Sequence, residues 1–341
     1  MINSLQGLRT LAMLGIFLFH SGLLLNGTFP VIFFFMLSGF VLYWSYNTKI
    51  NEINIKEIIF WVKKRMKKLY PIHLITFVMS IFIRWDWIMK LSVIDIIINT
   101  ILNLTLLQTL FPKYAYSFNG LSWFLSVTML LYIMAIPLIY IIKNIKVIKA
   151  EYMIIAVCLI RYLISIINNL NDLGLDLYTS PFFRIFDFVL GMLVANMLIK
   201  KRESNNKFYE KYTIYEIVIC ISFFIVYAST FIIKVDGTLY SILFTALIYV
   251  MAQEKGGISN LLKLDILQKW ATFSFEFYMV HELILIAFRK VFQNINYNWI
   301  IKNFIIALPS FIISMVIAKF LNEYITKGKL IKKIKKNITI V

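Results

Sequence analysis

The stretch LRTLAMLGIFLFHSGLLL, residues 8–25, is apolar along its length except for Arg9, Thr10, His20 and Ser21. As a helix rising about 1.5 Å per residue it nearly spans the roughly 30 Å hydrocarbon core of a bilayer. Similar apolar runs recur from one end of the chain to the other, at about 30–47, 69–83, 93–111, 121–142, 152–168, 182–199, 213–233, 238–253, 271–289 and 299–320. Of the 341 residues 60% are hydrophobic and only 15% charged, against about 25% charged in an average soluble domain. An ordinary soluble enzyme is excluded, because its helices need polar outer faces. The fold class this predicts is all-α and polytopic, a single membrane domain over residues 1–341 with no visible repeat or linker.

The formal charge of +18 sits in the loops, so it argues for topology and not for nucleic acid. Lys49, Lys56, Lys63, Lys64, Arg65, Lys67 and Lys68 lie between the second and third runs. The positive-inside rule makes that segment cytoplasmic, and the N-terminus with it. The clusters Lys143 to Lys149 and Lys200 to Lys211, and the tail from Lys327 to Lys336, must then be inside as well. Ten crossings satisfy all of them, N-in and C-in, if 93–111 does not cross. That run carries Asp95, Asn99, Asn103, Thr105 and Gln108, and it is expected to be a re-entrant or interfacial helix at the outer face. Arg9 lacks the clustered basic residues of a signal peptide, so the first run is expected to be retained as a span. Cys158 and Cys220 lie inside apolar runs, where packing is the expected role. Phe33 to Phe35 are expected to face lipid, and His73 to sit at the interface.

Ionisable residues inside spans are functional candidates, because each is costly there unless paired or hydrated. Arg9 and His20 are eleven residues apart, three helical turns plus about 20°, so they lie about 16 Å apart on one face. A cation at the cytoplasmic mouth can hold a phosphate through forked hydrogen bonds. An imidazole in the outer half, with a pKa of about 6.5, can take a proton from a hydroxyl at neutral pH. This spacing suits acyl-CoA bound from the cytoplasm, with its thioester brought to His20. The plain alternative is an anchoring Arg9 and a hydrogen-bonded core His20.

The residues Leu5-Gln6-Gly7-Leu8-Arg9, Phe19-His20-Ser21-Gly22 and Phe33-Phe34-Phe35-Met36-Leu37-Ser38-Gly39-Phe40 resemble the opening of the acyltransferase 3 family of membrane O-acyltransferases. Further similarity follows in order: Arg65-Met66-Lys67-Lys68-Leu69-Tyr70-Pro71 to a basic turn before the third span, Ser122-Trp123-Phe124-Leu125-Ser126 to a Trp-containing span, Arg184 to Gly191 to an Arg–Phe–Gly span, and Tyr278-Met279-Val280-His281 to a Tyr-x-x-His segment. Thr128 stands where many members carry Glu, and Lys68 where Arg is commoner. The resemblance implies a multi-pass protein of the cytoplasmic membrane, and the abundance of Ile, Lys and Asn suggests a bacterial source. Such a protein moves an acetyl or other short acyl group from cytoplasmic acetyl-CoA to hydroxyls of a cell-envelope or exported polysaccharide.

On this reading His20 is the general base, with a transient acyl-histidine as the alternative. Arg9, Arg65 and Lys68 meet the CoA phosphates. Ser38, Asn119, Trp123, Ser126, Arg184, Tyr278 and His281 are candidates for contacting the acceptor or the oxyanion. Counting from the outer helix ends places His20, Ser38, Trp123, Ser126 and Arg184 within about 12 Å of the outer surface, with His281 and Tyr278 nearer the middle. Asp187, three residues after Arg184, offers a structural ion pair instead; Arg161 and Glu276 have no evident partner. No metal is expected, because no ligand pair has the required spacing. The expected partners are acyl-CoA, the glycan acceptor, the lipid bilayer and envelope-biosynthesis proteins. A transporter or flippase of envelope-glycan precursors is the competing function; a non-enzymatic subunit of an envelope synthase is a third.

Overall fold

A computed structural model describes residues 2–328 except Leu25, Lys146, 172–173, 204–211, 231, 233–235 and 295–297. Lys146, Lys207, Lys211 and the tail beyond Gly328 therefore lie outside the described residues. The described chain is helical, with no strand: α1 (Asn3–His20), α2 (Thr28–Tyr46), α3 (Ile55–Ile83), α4 (Trp85–Ile88), α5 (Val93–Thr105), α6 (Ser122–Asn144), α7 (Ala150–Leu170), α8 (Pro181–Glu203), α9 (Tyr212–Ser229), α10 (Gly237–Met251), α11 (Gly257–Leu261), α12 (Asp265–Ala271), α13 (Ser274–Val291) and α14 (Trp299–Leu321). Each of the eleven apolar runs overlaps one of these helices. Seven described helices are long and apolar enough to cross a membrane, or eight if α12 and α13, bent by 71°, count as one. Their outer faces require lipid: Ile155, Leu159 and Leu163 on α7 and Ile221, Phe224 and Ile225 on α9 are all exposed, a continuous apolar surface that water would not tolerate. The protein is a multi-pass membrane protein. At 13 residues, α5 reaches only about 20 Å, short of a crossing.

Four expectations need correcting. The basic segment Arg65 to Lys68 is no turn but the middle of α3, 29 residues long; its lysines interrupt the hydropathy without interrupting the helix, since Lys and Arg are good helix formers. Phe33 and Phe35 are buried, as is His73, whose Nε2 lies 2.9 Å from the Asn103 carbonyl. Cys220 is exposed, whereas Cys158 is buried, and they are not joined.

The chain divides into two compact units, each discontinuous in sequence. The first comprises residues 1–12, 26–59 and 130–268. Its closest-packed pair is α2 and α8, whose backbones meet at two glycines. A Cβ at Gly39 would stand 1.9 Å from the Phe188 carbonyl oxygen, and one at Gly191 1.8 Å from that of Met36. Small residues that admit such an approach are the usual means of joining helices in lipid, where there is no hydrophobic drive between them. The second unit comprises residues 13–25, 60–129 and 269–341, with α13 packed on α14. One unbroken helix, α1, carries Arg9 in the first unit and His20 in the second.

Candidate active site

Helix α1 ends at His20 because of the two residues that follow. Gly22 adopts φ +79°, its N–H donates to the Phe19 carbonyl at 2.9 Å, and the Leu23 N–H donates to that of Leu18 at 2.9 Å. This pair of bonds is the Schellman arrangement, which needs a left-handed residue one position beyond the cap. His20 is thus the last helical residue, five short of the end of the apolar run. Its own carbonyl, left without a partner in the helix, accepts from the Arg289 guanidinium at the end of α13. Next to Arg289, Lys290 pairs with Asp86 in the short helix α4, and that hydrogen bond holds the exposed carboxyl below its usual range.

The imidazole of His20 meets a second histidine. His20 Nδ1 lies 2.9 Å from His281 Nε2, and the rings are stacked with centroids 5.1 Å apart. His281 is fully buried, whereas His20 is half-buried. His281 Nδ1 in turn lies 3.1 Å from the Phe277 carbonyl. A carbonyl oxygen can only accept, so in the neutral pair His281 carries its proton on Nδ1 and offers a lone pair at Nε2. His20 must then donate from Nδ1, which leaves the lone pair on His20 Nε2. The contact therefore fixes which nitrogen of His20 carries the lone pair. Phe277, stacked on His281 at 5.4 Å, and Phe17, edge-on to it at 6.0 Å, hold the buried ring in place.

Two other candidates act on the same helix. Asn119 Nδ2 donates to the Met279 carbonyl at 2.9 Å, and the Tyr278 hydroxyl donates to that of Leu121 at 3.2 Å. Both tie α13 to the turn before α6, which holds His281 on its level. The same turn exposes a residue that sequence reasoning missed. Glu282 Oε2 is buried and accepts no hydrogen bond among the described residues. A Cβ at Gly120 would stand 3.2 Å from that oxygen and 3.7 Å from Arg84 Nη2, so the carboxylate and a guanidinium converge on the one residue without a side chain. Its adjacency to His281 was the available signal; the surrounding apolar run hid it.

The remaining candidates are placed differently. Trp123 is buried in the α6 packing. Ser126 donates to the Leu106 carbonyl at 2.7 Å and also meets the Thr109 hydroxyl, which makes it a structural tie. Thr128, at the position of the missing Glu, returns its hydroxyl to Phe124 in its own helix. Arg65 lies over the Trp61 ring at 5.1 Å, and Lys68 is exposed. In the first unit, Gly7 allows α1 to lie against the Leu262 carbonyl, and Thr10 donates to that of Leu267 at 2.7 Å. These contacts hold the turn that carries Arg9. Ser38 returns its hydroxyl to the Phe34 carbonyl at 2.8 Å. Arg184 donates to Asp187 at 2.9 Å, and so does Arg161, at 3.0 Å. Glu276 accepts from Asn322 and Thr326, so both of the residues without an evident partner in sequence have one.

Residues 2–319 match the family model described as an acyltransferase domain, that of the acyltransferase 3 family, which is nearly the whole chain. The chain belongs to this family. No curated protein and no solved structure matches it. Membership makes the chain an acyltransferase. As an acyltransferase it needs a base that can both take and return a proton, and the histidine pair has that capacity.

Proposed function

We propose that this acyltransferase takes an acetyl or other short acyl group from acyl-CoA on the cytoplasmic side of a bacterial cell membrane and passes it to a hydroxyl of an envelope or exported glycan. The chain crosses ten times with both ends inside on this proposal. The observation that carries it is the free Nε2 of His20, set by the His281–Phe277 chain of hydrogen bonds. In the reaction, His20 Nε2 takes the proton of the acceptor hydroxyl while the oxygen attacks the thioester carbonyl. The positive charge formed is shared through Nδ1–H with His281 Nε2. Collapse of the tetrahedral adduct breaks the C–S bond, and the thiolate leaves as free CoA with the proton from His20. Arg9, on the same helix, holds the donor's phosphates, with Arg65 and Lys68 contributing charge from α3.

The test is reconstitution of the full chain in liposomes with labelled acetyl-CoA and a hydroxyl acceptor. Thioester consumption coupled to ester formation, and abolished in His20→Ala, is the expected result. Movement of glycan across the bilayer with no acyl turnover would replace this function with transport. A cysteine placed at Asn171, in a chain without native cysteines, should be labelled only from outside; labelling from the cytoplasm would overturn the ten-crossing topology.

A further inference from the structure

The first unit contains two cavities that meet at one residue. One, of about 440 Å³, is polar and is lined by Arg161, Arg184, Asn169, Tyr178 and Asp236, a volume within the range of small-molecule sites, about 300–1,000 Å³. The other, of about 850 Å³, is an apolar groove between α7 and α10, lined by Ile155, Leu159, Leu239, Ile242 and Ala246, and it also ends at Asp236. Leu159, Leu239 and Ile242 are exposed on the lipid-facing surface, so hydrocarbon fills this groove in a membrane.

The polar cavity has a rigid wall and an unused rim. Asp187, fully buried, binds Arg161 Nε at 3.0 Å, Arg184 Nη1 at 2.9 Å and the Ser241 hydroxyl at 2.9 Å. Arg161 Nη1 donates to Thr238 at 2.6 Å, and Arg184 Nε to the Tyr178 carbonyl at 2.8 Å. These hydrogen bonds use Nε and Nη1 of both arginines, and both guanidiniums line the cavity, which leaves each an Nη2 group to donate. Asn169, exposed at the cavity's edge, offers a donor and an acceptor. This is a mixed set of donors and acceptors, the kind that hydroxyl groups satisfy.

The junction decides the charge of the occupant. Asp236 stands where the two cavities meet, and its carboxylate already caps α10 through the Thr238 N–H at 2.7 Å and accepts from Ser165. A phosphate linking a chain to a head group would have to sit against this carboxylate, whose charge the Arg161 guanidinium, 3.9 Å away and bound more closely to Asp187, offsets only in part, with the α10 N-terminus already occupied. An uncharged linkage meets no such repulsion.

We propose that this pair of cavities binds a neutral glycolipid, with its hydrocarbon chain in the α7–α10 groove and its sugar head among Arg161, Arg184, Asn169 and Asp236. This deepens the acyl-transfer reading, on which it rests for the ligand's role as acceptor; the binding itself stands apart from it. The experiment uses the full-length protein in nanodiscs with a glucosyl diacylglycerol carrying a photoactivatable group in its acyl chain, without acyl donor. Labelling is expected on peptides from 150–170 and 237–251, competed by unlabelled glycolipid and not by phosphatidylglycerol or a polyprenyl diphosphate sugar.

Leu159→Trp, which fills the groove from the lipid side, should reduce labelling by about tenfold, the effect of removing roughly two CH₂ groups from contact. Asn169→Ala should reduce it by about fivefold, through the head alone. Equal competition by phosphatidylglycerol would make the groove an ordinary lipid contact, and equal competition by the diphosphate sugar would overturn the neutral linkage. Unchanged labelling in both variants would overturn the site. Because no donor is present, any of these failures leaves the acyl-transfer proposal standing, and loss of transfer with labelling intact would overturn that proposal alone.

Discussion

Two polar clusters of this protein are built on opposite principles. Around Asp187 one carboxylate receives two guanidiniums and a hydroxyl, and both arginines find further oxygens. Around His20 two uncharged rings are held in a line that ends on a backbone carbonyl, with one lone pair left over. A paired ionic cluster in a low-dielectric interior resists any change of charge, because removing one partner strands the others. A neutral pair with a directed proton is poised for such a change. The contrast separates a cluster that shapes the first unit from one that can do chemistry in the second.

The sharpest break of that comparison is Asp187→Ala. It strands Arg161 and Arg184, both nearly inaccessible, and should cost about 3–5 kcal/mol of stability. Thermal unfolding in detergent would read it as loss of folded protein. Replacing Asp187, Arg161 and Arg184 together with apolar residues of similar volume should restore most of the loss, because the three buried charges go together and only the partly exposed Asp236 loses a more distant partner. If the single variant is as stable as the parent chain, the cluster is not structural.

His20→Ala should lower acyl transfer by about 10²-fold or more, the usual worth of a general base, with unfolding and acyl-CoA binding unchanged. In the parent chain transfer should fall as pH drops, since an imidazolium has no lone pair to accept the hydroxyl proton. Near-normal transfer in the variant would move the base elsewhere in the second unit. Acylated enzyme trapped when acceptor is withheld would establish the histidine as a nucleophile instead.

The two clusters were also unequally legible. The apolar runs located the long described helices, because a segment that crosses hydrocarbon must stay apolar over a length set by the bilayer's thickness. The Arg184–Asp187 pair was visible as an i, i+3 spacing, but its third member, Arg161, comes from another helix and carries no local signal. The His20–His281 contact was hidden by counting depth from the ends of apolar runs. Gly22 stops α1 at His20, although Leu23, Leu24 and Leu25 extend the run. Hydropathy does not register a left-handed glycine, and backbone geometry does. Gly39 and Gly191 were read only as parts of motifs, and their role, the close approach of α2 and α8, depends on what each faces.

Arg9→Ala tests whether α1 has a donor end distinct from its reactive end. Its expected effect is about 1.5–3 kcal/mol in acyl-CoA affinity, the range of a hydrogen bond to a charged group. The rate at saturating donor should barely change. Binding as tight as in the parent chain would remove Arg9 from the donor site. Arg65→Ala should show less, because neighbouring lysines on α3 supply similar charge.

The smallest expected effect is the most specific. His281 never meets the substrate in this scheme; it selects the tautomer of His20 and accepts from Nδ1–H as charge develops, so it is a positioning residue. His281→Leu keeps the volume and removes the acceptor, and it should lower the maximal rate by about tenfold, the worth of one hydrogen bond to a developing charge, at unchanged apparent donor affinity. His281→Gln restores an oxygen that can accept from Nδ1–H and an N–H that can donate to Phe277, and it should recover transfer to within about threefold of the parent chain. A purely packing role would give the reverse order, since Leu fills an apolar site lined by Phe17 and Phe277 better than an amide does. The order of the two variants at matched stability therefore decides whether the second histidine directs a proton or merely fills space.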